Sequence, residues 1–271
     1  METKKLYDAK EHNNIKEIIY EAVGKYNKNT AFVIKHKEGK RVEYENVTYK
    51  RLLEDINSLG TSLYEMGLKG KRIAVIGKNR YEWALAHLTN LLGGIVCVPL
   101  DKDLEYDELE NSLVRSKADA IVFDEKLTDK MNEIKKNGKT SLKEYICMDK
   151  KEDFKNIPEL IEQGKKLIKK GKNEYRKAKI DSNAMAILLF TSGTTSESKV
   201  VMLSHYNVAR NISDMQLVED FRPTDVNLAF LPLHHTFGST GQLIMLSSGI
   251  ATAFPDGLRY IAQNLKEYKV T

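Results

Sequence analysis

The chain has 271 residues, 41% hydrophobic and 30% charged, with 43 Lys/Arg against 38 Asp/Glu and a formal net charge of +5. That balance fits a soluble globular protein of one large or two ordinary domains with a substantial buried core. The polar start "METKKLYDAKEHNN" reads as no secretory h-region, and no apolar run approaches the ~20 residues a membrane helix needs.

In chain order, Ile15, Ile18, Ile19, Ala22 and Val23 recur at helical spacing and predict an opening helix. "AFVIK" and, past Gly39, "RVEYENVTY" predict a β-hairpin. Thr48 is placed to cap a helix whose stripe is Leu52, Ile56, Leu59, Leu63 and Met66, stopped by Gly67. An alternation then begins. "RIAVI" predicts a short buried strand, and Tyr81, Ala84, Leu85, Leu88, Leu91 and Leu92 share one face of a helix ended by Gly93 and Gly94. "IVCVPL" predicts the next strand, a helix through Leu109, Leu113 and Val114 precedes "AIVF", and "YICM" supplies a further strand. Apolar strands alternating with amphipathic helices predict a parallel sheet with right-handed crossovers. Cys97 and Cys147 fall inside these strands and read as reduced core residues of a cytosolic protein, not as a disulfide or metal site.

Residues 125–179 form a basic block, 17 Lys/Arg against 10 Asp/Glu, with one helix expected around Leu160 to Lys170. Such a block favours acidic lipids or nucleic acid, or is a solvated helical insert, since opposite charges are interspersed. It lacks the aromatic interleaving that stacks bases. Further on, Ser204 is placed to cap a helix beginning "HYNVARNI". A second alternation follows: a "VNLAFL" strand, a helix near Leu243–Leu246 ended by Gly249, an "IATAF" strand, and a helix through Leu258, Ile261 and Leu265. "EYKVT" falls where another strand is due, so the expectation is a piece of a longer protein with an open sheet edge.

Between the two alternations lies "LLFTSGTTSESKVVMLSH". Thr191, Ser192, Gly193, Thr194, Thr195, Ser196, Ser198 and Lys199 combine hydroxyl donors, a glycine that leaves backbone N–H groups open, and a mobile cation, which is what a polyphosphate requires. A Walker loop fits poorly. Ser198 stands at its second glycine, Val200 at its metal-binding hydroxyl, and "VVML" is strand-like where a helix should open. A Ser/Thr-rich turn is the bland alternative.

The stretch "FTSGTTSESKVVMLSHYN" resembles the phosphate loop of the adenylate-forming (AMP-binding) enzymes, written T-S-G-T-T-G-x-P-K-G and followed by a strand and "LSH.N". "LPLHHTFG" is similar to that family's P-L-x-H-x-x-G and maps its histidine onto His235, with Gly238 as its glycine. The segment from "VTYKRLLEDINSLG" to "LLGGIVCVPLD" also resembles the family's N-terminal pattern, including an N-x-x-x-W helix. Its residues read as scaffold, with Trp83 and His87 as core and helix-surface residues, not ligands. The stretch from Leu231 to Thr271 looks closest to long-chain acyl-CoA synthetases, with Val270 where their K-P-T has proline.

The resemblance implies an α/β fold of two mainly parallel sheets with helices packed between and outside them. Residues 1–271 would be an incomplete N-terminal AMP-binding domain: a helix and hairpin lead-in (1–70), a first α/β region with the basic insert (71–180), and the phosphate loop with the start of a second α/β region (181–271). It implies an acid–thiol ligase that uses ATP and Mg²⁺ to make an acyl-adenylate and then transfers the acyl group to CoA. Thr191, Ser192, Gly193, Thr194, Thr195 and Lys199 would hold the leaving pyrophosphate, and His235 would serve the carboxylate and α-phosphate. The expected partners are a carboxylate of fatty-acid type, ATP and CoA, in the cytoplasm, with peripheral membrane contact through 125–179. The adenine pocket, Mg²⁺ ligand, ribose ligand and catalytic lysine of the family would lie beyond residue 271, leaving the fragment inert. Three positions depart from the pattern: Ser196 and Val200 stand where it has glycine, and Ser198 where it has proline. A serine forced to φ > 0 costs of order 1 kcal/mol, and a valine crowds close backbone approach. Amino- or aryl-acid adenylation and a non-catalytic, degenerate homologue stay open as alternatives.

Overall fold

The computed structural model describes residues 6–191 and 199–271. Its first elements are α1 (Ile15–Tyr26), β1 (Thr30–Glu38), β2 (Arg41–Thr48) and α2 (Tyr49–Glu65). Next come β3 (Arg72–Ile76), α3 (Tyr81–Leu92), β4 (Val96–Leu100), α4 (Tyr106–Ser116) and β5 (Ala120–Phe123). They are followed by α5 (Thr128–Asn137), β6 (Glu144–Cys147), β7 (Lys155–Asn156), α6 (Ile157–Lys169), β8 (Met185–Thr191) and β9 (Lys199–Ser204). The last are α7 (His205–Gln216), β10 (Val226–Leu228), α8 (Thr236–Ser247), β11 (Ala251–Ala253) and α9 (Ile261–Glu267). They divide into two compact units. One holds the residues up to Leu53, Asn79–Tyr81 and His205–Thr271; the other holds Glu54–Lys78 and Glu82–Ser204.

The second unit is built on a seven-stranded sheet of order β7-β6-β5-β3-β4-β8-β9. All its pairings are parallel except β8 with β9. β5 is buried along its whole length, as expected for a continuous apolar run in a parallel sheet. The core cluster joins β3, β4 and β5 to α4 and α5 through Ile76, Val98, Phe123, Leu113 and Met131. α2 and α6 meet where Gly164 faces the Ser58 backbone, and Ser62 Oγ donates to the Leu160 carbonyl at 2.6 Å. α6 starts on Asn156, whose Oδ1 accepts from Glu159 N at 3.0 Å, with Pro158 in its first turn.

The first unit carries a four-stranded sheet of order β10-β11-β1-β2, parallel except for the β1–β2 hairpin. Both sheets are therefore mainly parallel, in an α/β fold. Gly39, at φ 59°, turns the hairpin's two-residue loop. Asn14 Oδ1 caps α1 by accepting from Glu17 N, while its Nδ2 donates to Glu17 Oε1. Phe32 stacks on Phe254 and meets Tyr81 edge-on at 5.5 Å, which anchors the Asn79–Tyr81 segment in this unit. Tyr49 Oη donates to the Ile250 carbonyl. Val226, on the outer strand, exchanges hydrogen bonds with Thr271.

Four readings are corrected. The basic block holds α5 as well as α6, because only Met131 and Ile134 of α5 are buried and two apolar residues give no visible period. β10 is three residues long, since Phe230 N–H turns back onto the Leu228 carbonyl at 2.8 Å and ends the strand. The last helix, α9, starts only at Ile261, with Leu258 in a separate turn of 3-10 helix before it and 77% exposed; within α9 the buried position is Asn264, while Leu265 is 39% exposed. His87 lies in the interior, stacked on Trp83, and not on the helix surface. No helix among the described residues is long and apolar enough to cross a membrane.

Candidate functional site

The β8–β9 hairpin places two of the predicted phosphate-loop residues. β8 is buried from Ala186 to Leu189, beside β4 through the Cys97–Ile187 register, so it is a fixed strand. β9 pairs with it antiparallel, Phe190 opposite Val200 and Thr191 opposite Lys199. Thr191 and Lys199 thus face each other at the loop end of the hairpin, both exposed. Ser192, Gly193, Thr194 and Thr195, with Ser196 and Ser198, lie outside the described residues. Arg115 on α4 holds its guanidinium 5.5 Å above the ring of Phe190, whose side chain leaves β8 on the face opposite to that of Thr191. A strand, not a helix, follows Lys199, which is incompatible with a Walker loop. Val200 sits within that strand, 39% exposed, in the extended conformation that suits a β-branched residue.

His235 belongs to the other unit. It occupies the N-cap of α8 at φ −85°, ψ 145°, and its side chain makes no capping hydrogen bond, so the imidazole is not used in starting the helix. It is the exposed member of the histidine pair; His234 is half-buried, with ring centroids 4.7 Å apart. A tight turn precedes it, closed by His235 N–H donating to the Pro232 carbonyl at 3.1 Å. Gly238 closes over that turn, where a Cβ would overlap the Pro232 carbonyl oxygen. Glycine is required there by space, the backbone being ordinary helix. Ser239 N–H donates back to the His235 carbonyl and starts the helical ladder.

One contributor has no sequence signal beyond its place in the N-x-x-x-W pattern. Asn79 Nδ2 donates to the Ala229 carbonyl at 2.8 Å and to the Leu231 carbonyl at 2.7 Å, and its Oδ1 accepts from Leu233 N–H at 3.2 Å. The carbonyls left unpaired where β10 ends early are satisfied by this one side chain. Among the described residues no group of three or more His, Cys, Asp and Glu side chains forms a metal site, so no protein ligand set for Mg²⁺ is assigned.

A family model described as "AMP-binding enzyme" matches residues 19–271. Among curated proteins, long-chain-fatty-acid–CoA ligase 5 of Rattus norvegicus is 27% identical over 249 residues, covering 84% of this chain and 36% of the relative. Luciferin 4-monooxygenase of Photuris pensylvanica is 29% identical over 239 residues, covering 83% of this chain and 43% of that protein. The crystal structure of a long-chain-fatty-acid-CoA ligase from Archaeoglobus fulgidus superposes with a TM-score of 0.83 at 18% identity, over 100% of this chain and 52% of that one, a likeness of fold. The chain spans between a third and a half of the length of these curated relatives.

Proposed function

Because the chain belongs to the AMP-binding enzyme family over residues 19–271, we propose that it supplies the phosphate loop and the acyl-site histidine of an ATP-dependent acyl-CoA synthetase. In the first step a carboxylate oxygen attacks the α-phosphorus of ATP and the bond to the pyrophosphate oxygen breaks, giving an acyl-adenylate. In the second the CoA thiol attacks the acyl carbonyl, loses its proton, and AMP leaves. The observation that carries this reading is the pairing of Thr191 with Lys199 across the hairpin, with S-G-T-T between them in sequence. The buried strand β8 and its paired edge strand β9 present a hydroxyl donor and a cation on the two sides of the loop, the groups that a leaving pyrophosphate gathering charge would need. The His235 imidazole, free of capping duty, donates to the carboxylate and α-phosphate oxygens as charge shifts between them. Mg²⁺ accompanies ATP as its counter-ion, and no step is assigned to it.

Several finer assignments belong to the same reading. The 27% likeness to a long-chain-fatty-acid–CoA ligase supports a fatty acid as the carboxylate, and the likeness to a luciferin 4-monooxygenase supports a second reading, adenylation of another acid. Free, buried Cys97 and Cys147 support a reducing, cytoplasmic setting. Exposed Lys166, Lys169 and Lys170 near the end of α6 support peripheral contact with anionic lipid, tested by salt-sensitive co-sedimentation with vesicles. The 271 residues alone are proposed to be inert, matching about 36% of the ligase. The test is exchange of labelled pyrophosphate into ATP, driven by carboxylates of graded length, with the complete protein and with this chain. Fatty-acid-dependent exchange in the complete protein alone is expected; none with any carboxylate leaves the degenerate homologue.

A further inference from the structure

We infer that Asn79 is a positioning residue for His235, a role that rests on the function proposed above. All three hydrogen bonds of its side chain fall on one five-residue segment, at Ala229, Leu231 and Leu233. The amide suits this place because it offers two donors to two carbonyls and one acceptor to an N–H. Aspartate, of the same shape, keeps the acceptor and turns both donors into repulsion between oxygens. Leu233 is buried, so the segment is held at its end by packing as well.

The clamp reaches His235 through two steps. Leu231 and Leu233 flank Pro232, whose carbonyl accepts from His235 N–H at 3.1 Å and forms the surface on which Gly238 closes. Fixing residues 229–233 therefore fixes the turn, and the turn fixes the N-cap from which the imidazole projects. Asn79 is itself held, because Tyr81 two residues on packs against Phe32. Without the clamp, β10 ends at Leu228 and the path to α8 has two unpaired carbonyls and a free N–H. A displacement of the order of 1 Å at a reacting group costs about 10²-fold in rate.

The experiment has two arms. Amide exchange in the 271-residue chain is expected to show Leu233 and His235 opening about tenfold faster in Asn79→Ala, with α8 and β11 still protected, which also shows that the variant folds. In the complete protein, Asn79→Asp is expected to lower kcat for pyrophosphate exchange about 10²-fold, with KM for ATP changed less than about twofold. Combined with His235→Ala it adds less than about threefold, since the two residues act as one unit. Unchanged Leu233 exchange in Asn79→Ala, or fully additive losses in the double variant, would overturn the inference. Faster Leu233 exchange in a complete protein that adenylates nothing would refute the proposed function and leave the clamp supported.

Discussion

The Lys35 ammonium lies 2.6 Å from the Asp256 carboxylate, although 221 residues separate them in the chain. Glu267 approaches the same ammonium at 2.7 Å and accepts from Tyr44, while Asn264 Nδ2 donates to both carboxylates. This network ties the β1–β2 hairpin to α9. Burial works against ionisation of Asp256 and Glu267, yet their hydrogen bonds, led by Lys35, outweigh it and hold both below the usual carboxylate range. Burial likewise opposes the charge on Lys35, and the two carboxylates outweigh it and push its pKa up.

The sign of the pH dependence follows. The carboxylates' share of stability is complete above their unfolded values, about 4, and is lost as pH falls through the depressed folded ones. The lysine's share is complete below about 10.4 and is lost only as pH rises through its raised value. Lys35→Met should cost about 2 kcal/mol at pH 7, measured by urea unfolding, and the difference should shrink toward pH 2. A difference constant across that range would disprove the coupling.

Cys97 Sγ lies 3.2 Å from His87 Nδ1, and both side chains are buried. Burial pushes the thiol up to about 12 and the imidazole down to about 4. The neutral ring therefore adds stability that is present above about pH 6.5 and lost as pH falls through 4. The protonated thiol adds stability present below about pH 8.5 and lost as pH rises through 12. At pH 8.5 neither Cys97 nor the buried Cys147 should react with iodoacetamide until the chain is unfolded in urea. Labelling of native Cys97 faster than global unfolding would contradict this.

Two glycine-to-alanine substitutions should move stability in opposite directions. At Gly164 a Cβ would overlap the Ser58 carbonyl, a backbone atom that cannot turn aside, so Gly164→Ala should cost about 3 kcal/mol. At Gly24, exposed within α1, a Cβ meets nothing, and Gly24→Ala should gain about 0.5–1 kcal/mol. Thermal unfolding of both variants checks the pair, and equal shifts would mean that α6 does not pack on α2 as described.

Lys199→Met removes the cation facing Thr191 while keeping the strand residue's length. In the complete protein it should lower kcat/KM for pyrophosphate exchange by about 10²-fold, the scale for losing a charged group aimed at developing charge. Far-ultraviolet circular dichroism should be unchanged, because Lys199 is exposed on β9, an edge strand. Activity within about twofold of wild type would remove Lys199 from the site.

The elements legible in the residues are those with a local period. The runs at Arg72–Ile76 and Ala120–Phe123, and the stripe from Ile15 to Val23, correspond to β3, β5 and α1. Burial acts on such segments through side chains spaced two or 3.6 apart, so the pattern is written in the sequence itself. α5 lacked that pattern, and its ten residues were invisible.

By itself the sequence determined the alternation of strands and helices, and it marked the T-S-G-T-T…K loop and His235 as candidates, because each is a matter of residue type and short spacing. Only the tertiary structure decided that β11 would lie beside β1, with Phe32 opposite Thr252, that Lys35 would meet Asp256, and that Asn79 would hold the segment before His235. Those are hydrogen bonds and pairings between residues some 150 or more apart. Their energy depends on where the chain returns in space, and no window of neighbouring residues carries that information.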